Sequence, residues 1–400
     1  MPKKILLTIL ILIIFFTMII NPKLIFDAAL DGLSTWTTIL IPALFPFFVM
    51  ANLLMRLGVI NFLAVFLDPI MRPVFNVSGA GGFVMAIGFT SGFPISSLLT
   101  AELRQEGKLT KGEAERLMSF TNNASPLFIF SAIAVGMFKF PELGIILAGG
   151  HYLSNIIIGI TLSFFSRKNN TIIKVKGNIF KRAYLRLYET PLLPIGEILG
   201  DSVNKGIKSI VAIGGFVVVF AITVASLSQL GLISLITAFF AFILKFVGYD
   251  ISLASALTTG LFEVTLGVKQ ASAIDASFHQ QVAIASIILA WNGLSIHAQV
   301  ANFISKSDIS YIPFLLTRTA QSILAPVFTL VLLNRYETVF FNLNATKPLN
   351  SFVLSLTTAP GIALFSYTLI GFILIIALLL GASLLISLFK GIFSITRNFL

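Results

Sequence analysis

Cysteine is absent from this chain of 400 residues, which excludes disulfides, zinc–thiolate centres and cysteine nucleophiles. Charge is scarce too. Asp, Glu, Lys and Arg make up 11% of the sequence, against about 25% in an ordinary soluble domain, so too little polar surface exists to face water all round. No phosphate-binding Gly-Lys-Ser/Thr loop occurs, which excludes ATP-driven pumping by this chain. Gly79-x-Gly81 does not extend into a dinucleotide fingerprint, and His151, His279 and His297 lie on separate segments. No metal and no other cofactor is therefore expected. No nucleophile–base pair stands out either, and the chain is not expected to be an enzyme.

What remains is apolar. The hydrophobic fraction is 57% and the mean hydropathy is +0.98, with the charges gathered into short loops between long apolar runs. Backbone groups left unpaired in lipid cost several kcal/mol each, so these runs are read as helices. The alternating ten-residue strands of a membrane barrel are missing. The class is therefore all-α, a polytopic membrane protein whose first partner is the lipid bilayer. The net charge of +11 is read as basic cytoplasmic loops rather than as a nucleic-acid surface.

Apolar runs occur at 5–20, 36–57, 59–71, 83–103, 114–138, 143–165, 207–227, 230–247, 251–268, 282–304, 312–333 and 364–389. The first follows Lys3 and Lys4 and lacks a small-residue cleavage site, so it is read as an uncleaved span. Pro42 and Pro46 are expected to kink or break the second. Asp68 sits in the short third run. If every run crosses once, all the basic loops fall on one side and both termini are cytoplasmic. Those loops carry Arg104, Lys108, Lys111 and Arg116, then Arg167, Lys168, Lys174, Lys176, Lys181, Arg182 and Arg186 against the single acid Glu189, then Lys306, Lys390 and Arg397. The expected number of transmembrane helices is about ten to twelve. Within the longest loop, Ile179–Tyr188 is basic and amphipathic, suited to lying on the inner leaflet.

Comparing the chain with itself adds a second layer. Phe47–Leu67 matches Phe220–Phe240 in hydropathy, with Leu-Gly in register, and Thr121-Asn-Asn-Ala-Ser125 has its counterpart in Trp291-Asn-Gly-Leu-Ser295. Gly88-Phe-Thr-Ser-Gly92 lies opposite Gly260-Leu-Phe-Glu-Val264. The copies are about 170 residues apart, and the assumed topology makes them inverted repeats. Inverted repeats with helix breaks in matching positions suit a transporter, whose solute site sits near the midplane where unwound backbone faces a cavity. The expected breaks are Thr90–Pro94, Thr121–Pro126, Thr265–Gly267 and Asn292–Ser295. The corresponding division is an N-terminal span (1–22), a first repeat (33–165), a basic cytoplasmic loop (166–193), a second repeat (194–333) and an extracytoplasmic segment with a C-terminal span (334–400).

The candidate substrate-binding residues follow from those breaks: Thr90, Ser91, Thr121, Asn122, Asn123, Ser125, Glu263, Thr265, Asn292 and Ser295. Asn amides both donate and accept, and Pro126 removes a donor from the turn it follows. Such a cluster either binds a polar solute or ties helices together. Glu263 is a carboxylate inside a span, where it serves as a coupling or solute-binding group unless it is paired, with Arg318 as the obvious partner. His151, with Asn155 one turn later, and His297 are read first as helix–helix hydrogen-bonding groups. The Gly88-x-x-x-Gly92 spacing permits close helix contact and is unspecific.

Four motifs carry a resemblance: Gly88-Phe-Thr-Ser-Gly-Phe-Pro94, Glu115-Arg-Leu-Met-Ser-Phe-Thr-Asn122, His151-Tyr-Leu-Ser-Asn155 and Gly260-Leu-Phe-Glu-Val-Thr265. With them most of the chain resembles the YlbJ family of sporulation integral membrane proteins from endospore-forming Firmicutes. The resemblance implies a nucleoside-recognition gate domain, shared in outline with concentrative nucleoside transporters and ferrous-iron transporters, that contributes helix breaks to a substrate site. It also implies a role in making the spore cortex, in the forespore or mother-cell membrane. It does not supply the solute, and Ile296 stands where the first half has Pro126. Two readings result: a secondary transporter of a polar solute, or a non-transporting scaffold that recruits sporulation membrane proteins through the basic loop. A homo-oligomer is compatible with both.

Overall fold

The structure is a computed structural model that describes residues 2–126, 128–164, 179–188 and 193–343. The expected span at 364–389 and most of the basic loop lie outside the described residues, as do the side chains of Asp68, Thr90 and Ser91. Among the described residues every regular element is helical, as the all-α class requires.

The N-terminal helix α1 (Pro2–Ile20) is followed at once by α2 (Pro22–Thr35), with a bend of 108° between them. The stretch between the first two apolar runs is thus helical from Pro22 onward. Pro22 stands at the helix start, where its missing N–H costs nothing. A π-helical turn, Trp36–Leu40, leads into α3 (Ile41–Arg56). Pro42 falls in the first turn of α3, and Pro46 is carried inside it. The expected break at these prolines is therefore replaced by one wide turn upstream.

Next come α4 (Val59–Ile70), α5 (Ala80–Ser91), α6 (Ile95–Gln105), α7 (Lys111–Thr121), a π-helix (Phe128–Met137) and α8 (Leu143–Phe164). The amphipathic segment forms α9 (Ile179–Tyr188), and Phe180 meets Phe66 of α4 at 5.2 Å between ring centroids. The second half contains α10 (Ile195–Gln229), α11 (Leu232–Val247), α12 (Ala254–Phe262), α13 (Val264–Ala273), α14 (Phe278–Trp291), α15 (Gly293–Ile304) and α16 (Ile312–Leu343).

Shifted by 170, the first half falls on the second element by element: α6 on α13, α7 on α14, the π-helix on α15 and α8 on α16. The packing repeats as well. The π-helix packs on α13 while α15 packs on α6, and α8 runs against α16. Each half thus inserts one segment into the other.

Two of the expected crossings are hairpins instead. On α13, Gln270 accepts from Thr259 at 2.7 Å and donates to Ser255 at 3.0 Å, both on α12. In one straight helix Ser255 and Gln270 would stand about 22 Å apart, so the chain doubles back at Glu263. Gly267 makes this fold feasible, because a Cβ there would meet Gly260 Cα at 2.3 Å. Likewise α5 and α6 fold together, with Gly88 against Ser96. The short runs also differ from single crossings. With the π-helical turn Met71–Phe75 that continues it, α4 reaches about 25 Å, and the 16 residues of α11 about 24 Å, short of the roughly 30 Å hydrocarbon core. Four described helical stretches are individually long and apolar enough to cross: Leu143–Phe164, Ile195–Gln229, Phe278–Ile304 and Ile312–Tyr336. Counting the bent pair at the N-terminus gives five.

Candidate functional site

Four helix breaks meet in the interior. The first lies at Gly92–Pro94, where Gly92 adopts φ +80° and a Cβ would approach Ser125 N to 2.6 Å. Phe93 N–H donates to Asn123 O at 2.5 Å, which joins it to the second break at 122–125. The third break is a single extended residue, Glu263. Thr265 and Gly267, expected to form it, lie instead in the opening turns of α13. A carboxylate explains the shift, since Glu263 accepts from Leu266 N–H at 2.7 Å and so caps the helix that begins just after it. The fourth break is Asn292 alone, left-handed at φ 73°, followed by Gly293 at φ +67°. Ser295 is already inside α15. The third and fourth breaks touch, because a Cβ on Gly293 would lie 3.3 Å from Glu263 Cα.

The two halves join at their equivalent residues. Asn292 Nδ2 donates to Asn122 O at 3.2 Å, and the two positions are 170 residues apart. Gln321 Nε2, in contact with His151 Nδ1 at 3.4 Å and donating to His151 O at 3.1 Å, is also 170 residues from it. Residues related by the repeat can touch only on the axis that relates the halves. Asn122 and His151 therefore mark that axis.

Arg318 of α16 occupies the centre. It is 0% exposed and does not pair with Glu263. Its Nη1 donates to Asn122 O at 3.3 Å and to Gln321 Oε1, and its Nη2 to Asn155 Oδ1 at 2.7 Å and to Ser119 O. The ring of Phe314 lies 5.5 Å beneath the guanidinium. Every hydrogen-bonding partner is a neutral carbonyl, so the guanidinium charge is solvated by dipoles. Its Nε has no partner.

Around it, Asn155 Nδ2 donates to Asn123 Oδ1, Ala124 N–H donates to His151 Nε2 at 3.0 Å, and Tyr152 Oη donates to Ala124 O at 2.9 Å. Because Nε2 of His151 receives a backbone donor, the ring is neutral in this arrangement. Ser96 and Ser97 reach Asn122 Oδ1 at 3.3 and 3.2 Å. His297 bridges Trp291 O (2.8 Å) and Tyr311 Oη (2.5 Å), a helix-tying role.

Of the expected residues, Asn122, Asn123 and Asn292 come together here. Thr121 hydroxyl returns to Leu117 O within its own helix, and Ser125 Oγ accepts from Phe128 N–H. Ser295 Oγ accepts from Gln299 Nε2 at 3.4 Å. Gln299 and Gln321 are not among the expected residues, and Arg318 is expected only as a pairing partner. The available signal was the i, i+3 spacing of Arg318 and Gln321 in an apolar helix.

Four fully buried side chains of this region keep an unused polar atom: Asn122 Nδ2, Asn292 Oδ1, Gln299 Oε1 and Arg318 Nε. An unmet buried group costs about 1–3 kcal/mol, so such a concentration is unusual for a junction that only holds helices together. The cavity of about 350 Å³ lined by Phe140, Phe278, Leu333 and Tyr336 is elsewhere and apolar.

Three comparisons bear on this arrangement. A family model described as "Gate: Nucleoside recognition" matches residues 37–141, which include the first two breaks. The sporulation integral membrane protein YlbJ of Bacillus subtilis (strain 168) is 38% identical over 376 residues, covering 88% of this chain and 92% of that protein. No solved structure matches significantly.

Proposed function

The chain belongs to the YlbJ family of sporulation integral membrane proteins, and on that premise we propose that it is a secondary transporter or permease. It moves a polar solute through the junction of its two helix-broken halves during endospore formation. The observation that carries this reading is the set of four buried, unused polar atoms on Asn122, Asn292, Gln299 and Arg318. Two donors and two acceptors suit a solute with both kinds of group. A buried guanidinium ringed by carbonyls and lacking a carboxylate further favours an anionic group on that solute.

The topology is consistent with both termini in the cytoplasm. Each half has one short run and one hairpin in place of two crossings, and removing an even number leaves every basic loop on its expected side. Forespore or mother-cell placement and a requirement in cortex formation come with the family resemblance. The family is one of membrane proteins rather than of enzymes.

Uptake into proteoliposomes, with thermal unfolding against nucleosides, amino acids, organic acids and wall precursors, tests the proposal. A solute at about 100 times its Kd stabilises by roughly 2.7 kcal/mol. The expected result is a solute whose shift and gradient-dependent uptake both vanish in Asn122→Ala. The scaffold reading is favoured by a different observation, the exposed Phe180, Tyr184, Leu185 and Tyr188 on α9. A flat panel with folded protein, together with loss of spore formation on replacing 179–188, would establish that reading instead.

A further inference from the structure

The repeat makes the two ends of the molecule comparable, and they are closed by opposite chemistry. At one end the α6–α7 connection meets the α15–α16 connection. Arg104 grips Asp308 with two bonds of 2.8 Å, from Nε and Nη2, and its Nη1 donates to Leu109 O at 3.0 Å. Ser310 N–H donates to Glu115 Oε1 at 2.9 Å, and Gln105 Nε2 reaches Lys306 O at 3.4 Å. At the other end the equivalent connections also meet, the turn at 138–142 between the π-helix and α8 and the α13–α14 turn at 274–277. Shifting Asp308 and Ser310 by 170 gives Phe138 and Phe140, and shifting Lys108 gives Phe278. Those rings pack edge-on, at 6.1 Å for Phe138–Phe278 and 5.6 Å for Phe140–Phe278. Beside them is the cavity of about 350 Å³, completed by Leu333 and Tyr336.

The two closures are far apart. Helix α16 begins beside the ionic contacts, and its Leu333 and Tyr336 line the aromatic cavity, about 33 Å further along. That distance matches the hydrocarbon thickness. The polar junction on Asn122 and Arg318 lies between them, fully buried.

We propose that the Arg104–Asp308 and Glu115–Ser310 contacts are an ionic latch that closes the route to the junction on the basic-loop face, while the Phe138–Phe140–Phe278 cluster closes the opposite face by ring packing. Both connections join the two halves, so opening either one requires the halves to move apart at that end. The structure has the latch engaged. The ionic closure is reversible in water because its groups stay solvated: Arg104 and Asp308 side chains are 29% and 51% exposed. The aromatic closure releases only by moving rings out of contact. The inference rests on the transport reading for its purpose, yet the latch itself is readable without any solute.

The chain's lack of cysteine makes the test direct. Val300, fully buried on α15 between the junction and the latch, is replaced in the full-length protein by cysteine and exposed to a membrane-impermeant maleimide. The expected result is slow labelling that becomes about five-fold faster in Arg104→Asp, the upper end for releasing an exposed ion pair, and slow again when Asp308→Arg is added. Equal labelling in all three proteins would overturn the latch. If Val300→Cys fails to fold, the same series is read at Ile304→Cys. A second measurement uses Gln105→Cys with Lys306→Cys joined by a short bis-maleimide, leaving the latch residues intact. Cross-linked protein is expected to lose solute uptake while uncross-linked protein keeps it; uptake that survives cross-linking would also overturn the proposal. A labelling series that behaves as expected in a protein that moves no solute would remove the transport reading and leave the latch standing.

Discussion

The two halves solve one problem, a broken helix pair in a membrane interior, in two ways. In the first half the hairpin turn is fixed by backbone: Gly92 lies against Ser125, and Phe93 N–H bonds to Asn123 O. In the second half the corresponding turn is fixed by a side chain, the Glu263 carboxylate that caps α13, and the facing residue is a glycine, Gly293. A further difference is larger. Arg318 crosses from the second half to hold the Asn122 and Asn155 carbonyls of the first, whereas its counterpart in the first half is Ala148. The first break is therefore braced by a cation and the second is not. Symmetry of fold is thus combined with asymmetry of chemistry.

Removing the brace should have the largest effect. Arg318→Met leaves the carbonyls of Ser119, Asn122, Asn155 and Gln321 without that donor. Each unmet buried acceptor costs about 1–3 kcal/mol, so the expected loss is at least ~3 kcal/mol, read by thermal unfolding in detergent. Arg318→Lys keeps the charge without the planar fork; it is expected to fold better than the methionine variant and still to lose solute binding. A methionine variant as stable as the parent would remove the brace from the argument.

The glycines give the next largest effect and compare the halves directly. Both Gly92 and Gly293 have left-handed φ, which alone costs about 1 kcal/mol for alanine. At Gly92 the added Cβ would also stand 2.6 Å from Ser125 N, whereas at Gly293 the nearest atom is 3.1 Å away. Gly92→Ala should therefore destabilise more than Gly293→Ala. Equal melting temperatures for the two variants would show that the first turn yields as easily as the second.

Glu263 separates structure from coupling. In Glu263→Gln the amide oxygen can still accept from Leu266 N–H, so stability should change by less than about 1 kcal/mol. Full loss of uptake in a protein of unchanged melting temperature would make the carboxylate a coupling group. Unchanged uptake would leave it as a cap.

The legible part of this architecture was its repetition. The Asn122 and Asn292 positions can be aligned from residue types alone, because an amide in an apolar run is conspicuous; the Leu-Gly pairs, 173 residues apart, fall only near the same register. The hairpins were not legible. A run such as 251–268 is long enough to cross, and only the contact of Gln270 with Ser255 and Thr259 shows that it turns back. Glycines on both sides of the turn, Gly260 and Gly267, were the available trace. The third break lies two residues before the expected one, because nothing in the residue type of Glu263 marks extended backbone. Opposite charges make Arg318 the natural candidate wherever Glu263 is taken as paired, while the structure solvates the guanidinium with carbonyls. Sequence separation says little about which dipoles a buried cation will reach.

The smallest expected effect concerns the two ends. Arg104 bonded to Asp308, with Lys111 nearby, holds the Asp308 carboxyl below its ordinary range. The other charges near this contact are Lys108 with its partner Glu106 on the α6–α7 connection, Glu115 on α7, and Lys306 on the α15–α16 connection. A carboxyl whose folded value is depressed contributes stability above its unfolded value, near 3.9, and loses that contribution as pH falls through the depressed folded value. Latch strength should thus be constant from neutral pH down to about 4 and weaken only below it. Labelling of Val300→Cys, with a reagent whose reactivity is calibrated on free thiol, should follow that course, while a cysteine placed beside the aromatic cluster at Ala276 should show no such dependence. If both ends respond alike, the acid is loosening the whole fold, and the contrast between an ionic and an aromatic closure fails.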